Sequence, residues 1–124
     1  MNIAIIAHDK KKELMATFCT KYAGVLSRHK LYATGTTGKI LRDIGLDVHC
    51  FMAGRLGGDE QIAARIAYDE IDLLLFFRDN LTAGSYEPKD SLLRLCDIHN
   101  VILATNVVTA EIIIKAIENG DCKR

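Results

Sequence analysis

The side chains able to do chemistry fall into five short polar stretches, each following an apolar run. His8-Asp9-Lys10-Lys11-Lys12 follows Ile3 to Ala7, Ala33-Thr34-Gly35-Thr36-Thr37-Gly38-Lys39 follows Leu31-Tyr32, and Ala53-Gly54-Arg55-Leu56-Gly57-Gly58-Asp59 follows Val48 to Met52. Arg78-Asp79 and Thr105-Asn106 close the last two runs. Carboxylates and an imidazole move protons when burial and neighbours bring their pKa near neutrality. Hydroxyls, an ammonium and the N–H groups at a helix start hold anions. The Thr/Gly stretch is therefore either a phosphate cradle or a turn that starts a helix, since Thr caps helices and Gly serves turns. It is not a Walker A loop, because Gly38-Lys39 is followed by Ile40 and no Gly stands five residues before Gly38. Asp59 is likewise either a helix cap or a general base. Lys12 lies one helical turn beyond His8 and reaches over the same strand end, whereas Lys10 and Lys11 read as solvated charge.

Positioning these residues requires strands that end where they begin. Ile3 to Ala7 has the unbroken apolar character of a strand buried on both faces. Lys11 to Leu26 then places Leu14, Phe18, Tyr22 and either Val25 or Leu26 on one helical stripe. The alternation continues with a strand at Leu31 to Ala33, a helix from Thr37 to Ile44 stopped by Gly45, and a strand at Val48 to Met52. A helix at Gly58 to Tyr68, a strand at Ile71 to Phe77, a helix from about Pro88 to Ile98, a strand at Val101 to Ala104 and a helix from Thr109 to Glu118 complete it. Five strands separated by helices indicate an α/β domain with a parallel sheet covered on both faces. Ligands of such sheets bind outside the carboxyl ends of the strands, where the polar stretches lie.

Residues 1–124 suit a single domain, long enough to bury a core without staples. Sixteen basic and sixteen acidic side chains cancel, which argues against nucleic acid or an anionic membrane as partner. The N-terminus turns charged too early for a signal peptide, and no apolar run has the length of a membrane span, so a cytoplasmic location is expected. Cys19, Cys50, Cys96 and Cys122 show no metal-ligand spacing and read as reduced packing thiols. His29, His49 and His99 also lack partners at ligand spacing, so no metal is expected.

The same stretches resemble methylglyoxal synthase over essentially the whole chain. The matching motifs are A-H-D-x-x-K (Ala7, His8, Asp9, Lys12), L-Y-A-T-G-T-T-G (Leu31 to Gly38), G-x-L-G-G-D-x-Q (Gly54 to Gln61), F-x-R-D-x-L-T-A (Phe76 to Ala83) and L-A-T-N (Leu103 to Asn106). The resemblance implies a three-layer flavodoxin-like fold with a five-stranded parallel sheet. It also implies a carbon–oxygen lyase that converts dihydroxyacetone phosphate to methylglyoxal and inorganic phosphate without a cofactor. Asp59 would be the base, His8 would face the enediolate oxygens, and Asp79 would orient. Lys12, Thr34, Gly35, Thr36, Thr37 and Gly54 would hold the phosphate. A homohexamer inhibited by inorganic phosphate is implied as well.

Departures from the family pattern are equally specific. Ala53 and Arg55 stand where the family has Ser and Pro, and Tyr86 stands where a second histidine is usual. A tyrosine hydroxyl can donate to an enediolate oxygen but does not shuttle protons at neutral pH. The alternative expectation is a regulatory domain of the same fold that binds a phosphorylated metabolite with little or no turnover.

Overall fold

The computed structural model describes residues 1–79 and 91–122. Its sheet consists of β1 (Asn2–Ala7), β2 (Lys30–Ala33), β3 (Val48–Cys50), β4 (Leu73–Phe77) and β5 (Ile102–Ala104), all parallel in the order β3-β2-β1-β4-β5. The helices are α1 (Lys12–Lys21), α2 (Ala23–Leu26), α3 (Gly35–Ile44), α4 (Gly58–Ala67), α5 (Ser91–His99) and α6 (Val107–Glu118). The chain moves outward from β1 to β3, then returns to place β4 on the other side of β1. That reversal opens a crevice beyond the carboxyl ends of β1 and β4. The expected three-layer α/β architecture is present. Its strand order differs from the 2-1-3-4-5 of flavodoxin itself.

The strand sequences explain the two layers. In β1, Ile3, Ile5 and Ala7 point into a core with Met15, Phe18, Leu26, Leu41 and Ile114 from α1, α2, α3 and α6. Ala4 and Ile6 point the other way, onto Ile62 and Ile66 of α4 and Leu92 and Cys96 of α5. Leu73, Leu75 and Phe77 of β4 join the first core, and Leu74 and Phe76 join the second. This period of two, apolar on both sides, is what a central parallel strand requires. No helix among the described residues is long and apolar enough to cross a membrane.

Several boundaries move from their sequence positions. The helix expected from Lys11 to Leu26 is interrupted at Tyr22, whose φ of −106° and ψ of 19° leave the helical range. The third strand stops at Cys50, two residues early, because the Met52 N–H turns to Gln61 Oε1 at 2.9 Å. The third helix starts two residues early, at Gly35, with Thr34 rather than Thr36 or Thr37 in the cap position. The last starts at Val107, where the Asn106 side chain accepts from the Thr109 N–H at 3.0 Å. The expected helix start near Pro88 lies outside the described residues.

Two glycines allow the site loops to pack. A Cβ on Gly58 would run into the Met52 carbonyl and lie 2.9 Å from Thr34 Cγ2, and one on Gly38 would meet Cys50 Sγ. Gly58→Ala therefore has to push apart the loops after β2 and β3. It is expected to cost about 1–3 kcal/mol of stability, read as a lower Tm. An unchanged Tm would show that the loops yield freely.

Candidate active site

Three strand ends line one cleft of about 300 Å³, a size suited to a small metabolite. His8 and Lys12 come from the segment after β1, Thr34 and Thr36 from the start of α3, and Gly54 and Asp59 from the segment after β3. Asp79, after β4, stands behind His8, with its Oδ2 3.8 Å from His8 Nδ1. The sequence thus identified residues that the fold brings together. Thr37 and Gly35 do not line the cleft itself. Thr37 is fully buried and accepts from Lys12, and Gly35 packs back against Ala53 while its N–H donates to the Met52 carbonyl at 3.1 Å. Tyr86 lies outside the described residues.

Local backbone geometry accounts for Asp59. The helix start expected of it as a cap is supplied by Gly57, whose φ of 114° only glycine adopts without strain. Asp59 sits in the first turn of α4 and is 5% exposed. The Gly54 backbone lies against its carboxylate so closely that a Cβ on Gly54 would sit 3.0 Å from Oδ1. The cap alternative left open by the sequence is therefore set aside, and a buried carboxylate faces the cleft. The N-terminal end of α4 also favours its negative charge.

His8 is held in one orientation. It caps the 3-10 turn Asp9–Lys11, with Nδ1 accepting from the Lys10 N–H at 3.1 Å, and its own N–H donates to the Phe77 carbonyl at 2.9 Å. An acceptor at Nδ1 places the ring proton on Nε2. The imidazole thereby offers the cleft a hydrogen-bond donor.

Lys12 explains the basic residues at a helix start. Its ammonium donates to the Ala7 carbonyl at 2.7 Å and to Thr37 Oγ1 at 3.0 Å, and lies 3.9 Å from Asp9 Oδ1. Burial pushes its pKa below the usual 10.5, while the Asp9 and Asp59 carboxylates pull it back up. A proton is therefore released from the native protein before the unfolded chain would release it. The cost of burying this charge is present at neutral pH and is relieved as pH rises through the interval between the two values. An anion held by this ammonium would lose affinity below 10.5, earlier than at an exposed lysine. Calorimetric titration of inorganic phosphate from about pH 7 to about pH 10 tests this. Lys12→Met should bind weakly throughout and lose the alkaline fall.

No side chain caps α3, whose N-cap position is Thr34 and whose first turn carries Thr36 and Thr37. Thr34 and Thr36 line the cleft beside Lys12 at a helix N-terminus, an arrangement suited to an anion. Asp9 and Arg55 also line the cleft, joined across its rim at 3.5 Å. Beyond opposite charges in two loops that both follow strands, no sequence feature pairs them.

Comparison with known proteins agrees with this geometry. The MGS-like domain profile matches residues 14–105. Relatives named methylglyoxal synthase include one from Caldicellulosiruptor saccharolyticus, 58% identical over 98% of this chain and 87% of the relative. Another, from Oceanobacillus iheyensis, is 56% identical over 99% of this chain and 89% of the relative. The crystal structure of methylglyoxal synthase from Elizabethkingia anophelis superposes with a TM-score of 0.85 at 39% identity, covering 91% of this chain and 76% of that one. This chain belongs to the MGS-like domain family.

Proposed function

We propose that this protein is a methylglyoxal synthase, a carbon–oxygen lyase that converts dihydroxyacetone phosphate to methylglyoxal and inorganic phosphate. The observation that carries the reading is the meeting of a buried carboxylate and a phosphate-binding corner in one small cleft. Asp59 and Lys12 both line that cleft.

In this mechanism the phosphoryl group docks on Lys12, Thr34 and Thr36 and the N–H groups that open α3. Asp59 takes a proton from the hydroxymethyl carbon, and the electron pair moves onto the carbonyl oxygen to give an enediolate. The Nε2–H of His8 donates to that oxygen, as a neutral imidazole does for the same intermediate in triosephosphate isomerase. With the neighbouring C–O bond aligned to the π system, the terminal hydroxyl gives up its proton to the enediolate oxygen and its electron pair forms the aldehyde, the double bond shifts to the phosphate-bearing carbon, and phosphate departs with the bond electrons. The resulting enol becomes methylglyoxal by ketonisation. Asp79 orients His8. Inorganic phosphate, the leaving group, competes for the same corner and inhibits.

A homohexamer is the assembly we propose; exposed Val108 and Ile112, one turn apart on α6, are suited to a subunit contact. Light scattering coupled to gel filtration would read its mass.

The test is incubation of the purified protein with dihydroxyacetone phosphate, with methylglyoxal trapped colorimetrically. Product formation that inorganic phosphate suppresses is expected. Phosphate-dependent thermal stabilisation without product would instead assign the chain a regulatory, ligand-binding role.

A further inference from the structure

We propose that Arg55 is a phosphate-recognition residue that exchanges partners, handed from the Asp9 carboxylate to the phosphoryl group of the substrate as it binds. The inference rests on the reading of the cleft as a phosphoryl-ester site but not on turnover.

The wall formed by residues 53–58 has few donors to offer. Ala53 carries none on its side chain. The N–H groups of Leu56, Gly57 and Gly58 are engaged by the carbonyls of Ala53, Gly54 and Ala53 respectively. The guanidinium of Arg55 is the side-chain donor that this wall contributes. Its Nη2 lies 3.5 Å from Asp9 Oδ2, while Asp9 Oδ1 lies 3.9 Å from the Lys12 ammonium. A carboxylate thus sits between two cations on the rim, one of them part of the phosphate corner.

Two physical points favour exchange over a fixed bridge. Both partners of the Arg55–Asp9 pair are mostly exposed, at 60% and 74% of the side chain. Pairs of this kind contribute little and are readily broken. A phosphoryl dianion, by contrast, accepts two parallel N–H bonds from a guanidinium and carries more charge than a carboxylate. Asp9 shields Arg55 and repels the incoming anion until the guanidinium turns to the phosphate.

The experiment measures inorganic phosphate binding by calorimetry and turnover of dihydroxyacetone phosphate in parallel. Arg55→Ala is expected to raise both the phosphate Kd and the KM about tenfold, with kcat changed less than about threefold. Arg55→Lys should recover only part of the affinity, because charge returns without the fork. Asp9→Asn should tighten phosphate binding by removing the competitor. Lys115→Gln, an exposed cation near the end of α6, controls for net charge and should change neither quantity. A phosphate Kd in Arg55→Ala within about twofold of wild type overturns the inference. So does an Asp9→Asn variant that weakens phosphate as Arg55→Ala does, since that identifies a fixed bridge. Arg55-dependent phosphate binding without methylglyoxal would sink the enzymatic reading and leave this one standing. Turnover insensitive to Arg55 would do the reverse.

Discussion

Asp59→Asn is expected to lower kcat for methylglyoxal formation by about 10² to 10⁴ while leaving phosphate affinity close to wild type. The substitution keeps the size and planarity of the side chain, so the close approach of Gly54 is preserved. Gly57, with its positive φ, still starts α4, and no cap is lost. What disappears is the basic oxygen. Removing the negative charge also takes away one of the two carboxylates that raise the Lys12 pKa, so the alkaline weakening of phosphate binding should begin earlier in the variant. The combination of collapsed kcat, intact neutral-pH binding and a shifted alkaline limb distinguishes loss of a base from misfolding.

The second large effect is expected at His8. In His8→Asn the amide oxygen takes the place of Nδ1 and can still accept from the Lys10 N–H, because Asn is a good cap. Nothing replaces Nε2–H. Kcat should fall by about 10² to 10³, the loss expected when an oxyanion donor is removed, with Tm near wild type. His8→Gln makes the complementary change, placing an amide N–H near the Nε2 position and giving up the cap. It should retain more activity than His8→Asn at lower stability. If both variants lose activity equally, the role of Nε2 as donor is wrong.

Much of the fold is legible in particular residues. The apolar runs Ile3 to Ala7 and Ile71 to Phe77 read as strands buried on both faces, and the polar stretches that follow them mark the crevice. What escaped was set by distant contacts. Strand order is not encoded in local periodicity, so the placement of β4 beside β1, and with it the approach of Asp79 to His8, had no local signal. Tyr22 fits the helical stripe, yet the helix breaks there. Thr36 and Thr37 have good capping chemistry, but Thr34 takes the cap position because the Gly35 N–H is drawn to the Met52 carbonyl. That His8, Lys12, Thr34, Thr36, Gly54 and Asp59 gather at strand ends was legible from residue type and position, and one cleft is lined by all six; their roles were read from the family resemblance. The division of labour around them was not legible: Thr37 turned out to brace Lys12, and Gly57 relieved Asp59 of capping.

In the proposed mechanism, phosphate expulsion depends on Asp59 acting as the base. Its most direct measurement compares wild type and Asp59→Asn at equal concentration, following methylglyoxal and inorganic phosphate released from dihydroxyacetone phosphate. Wild type should release the two products in equal amounts, and Asp59→Asn should release neither above background while still binding phosphate. Equal product from both proteins would contradict the account.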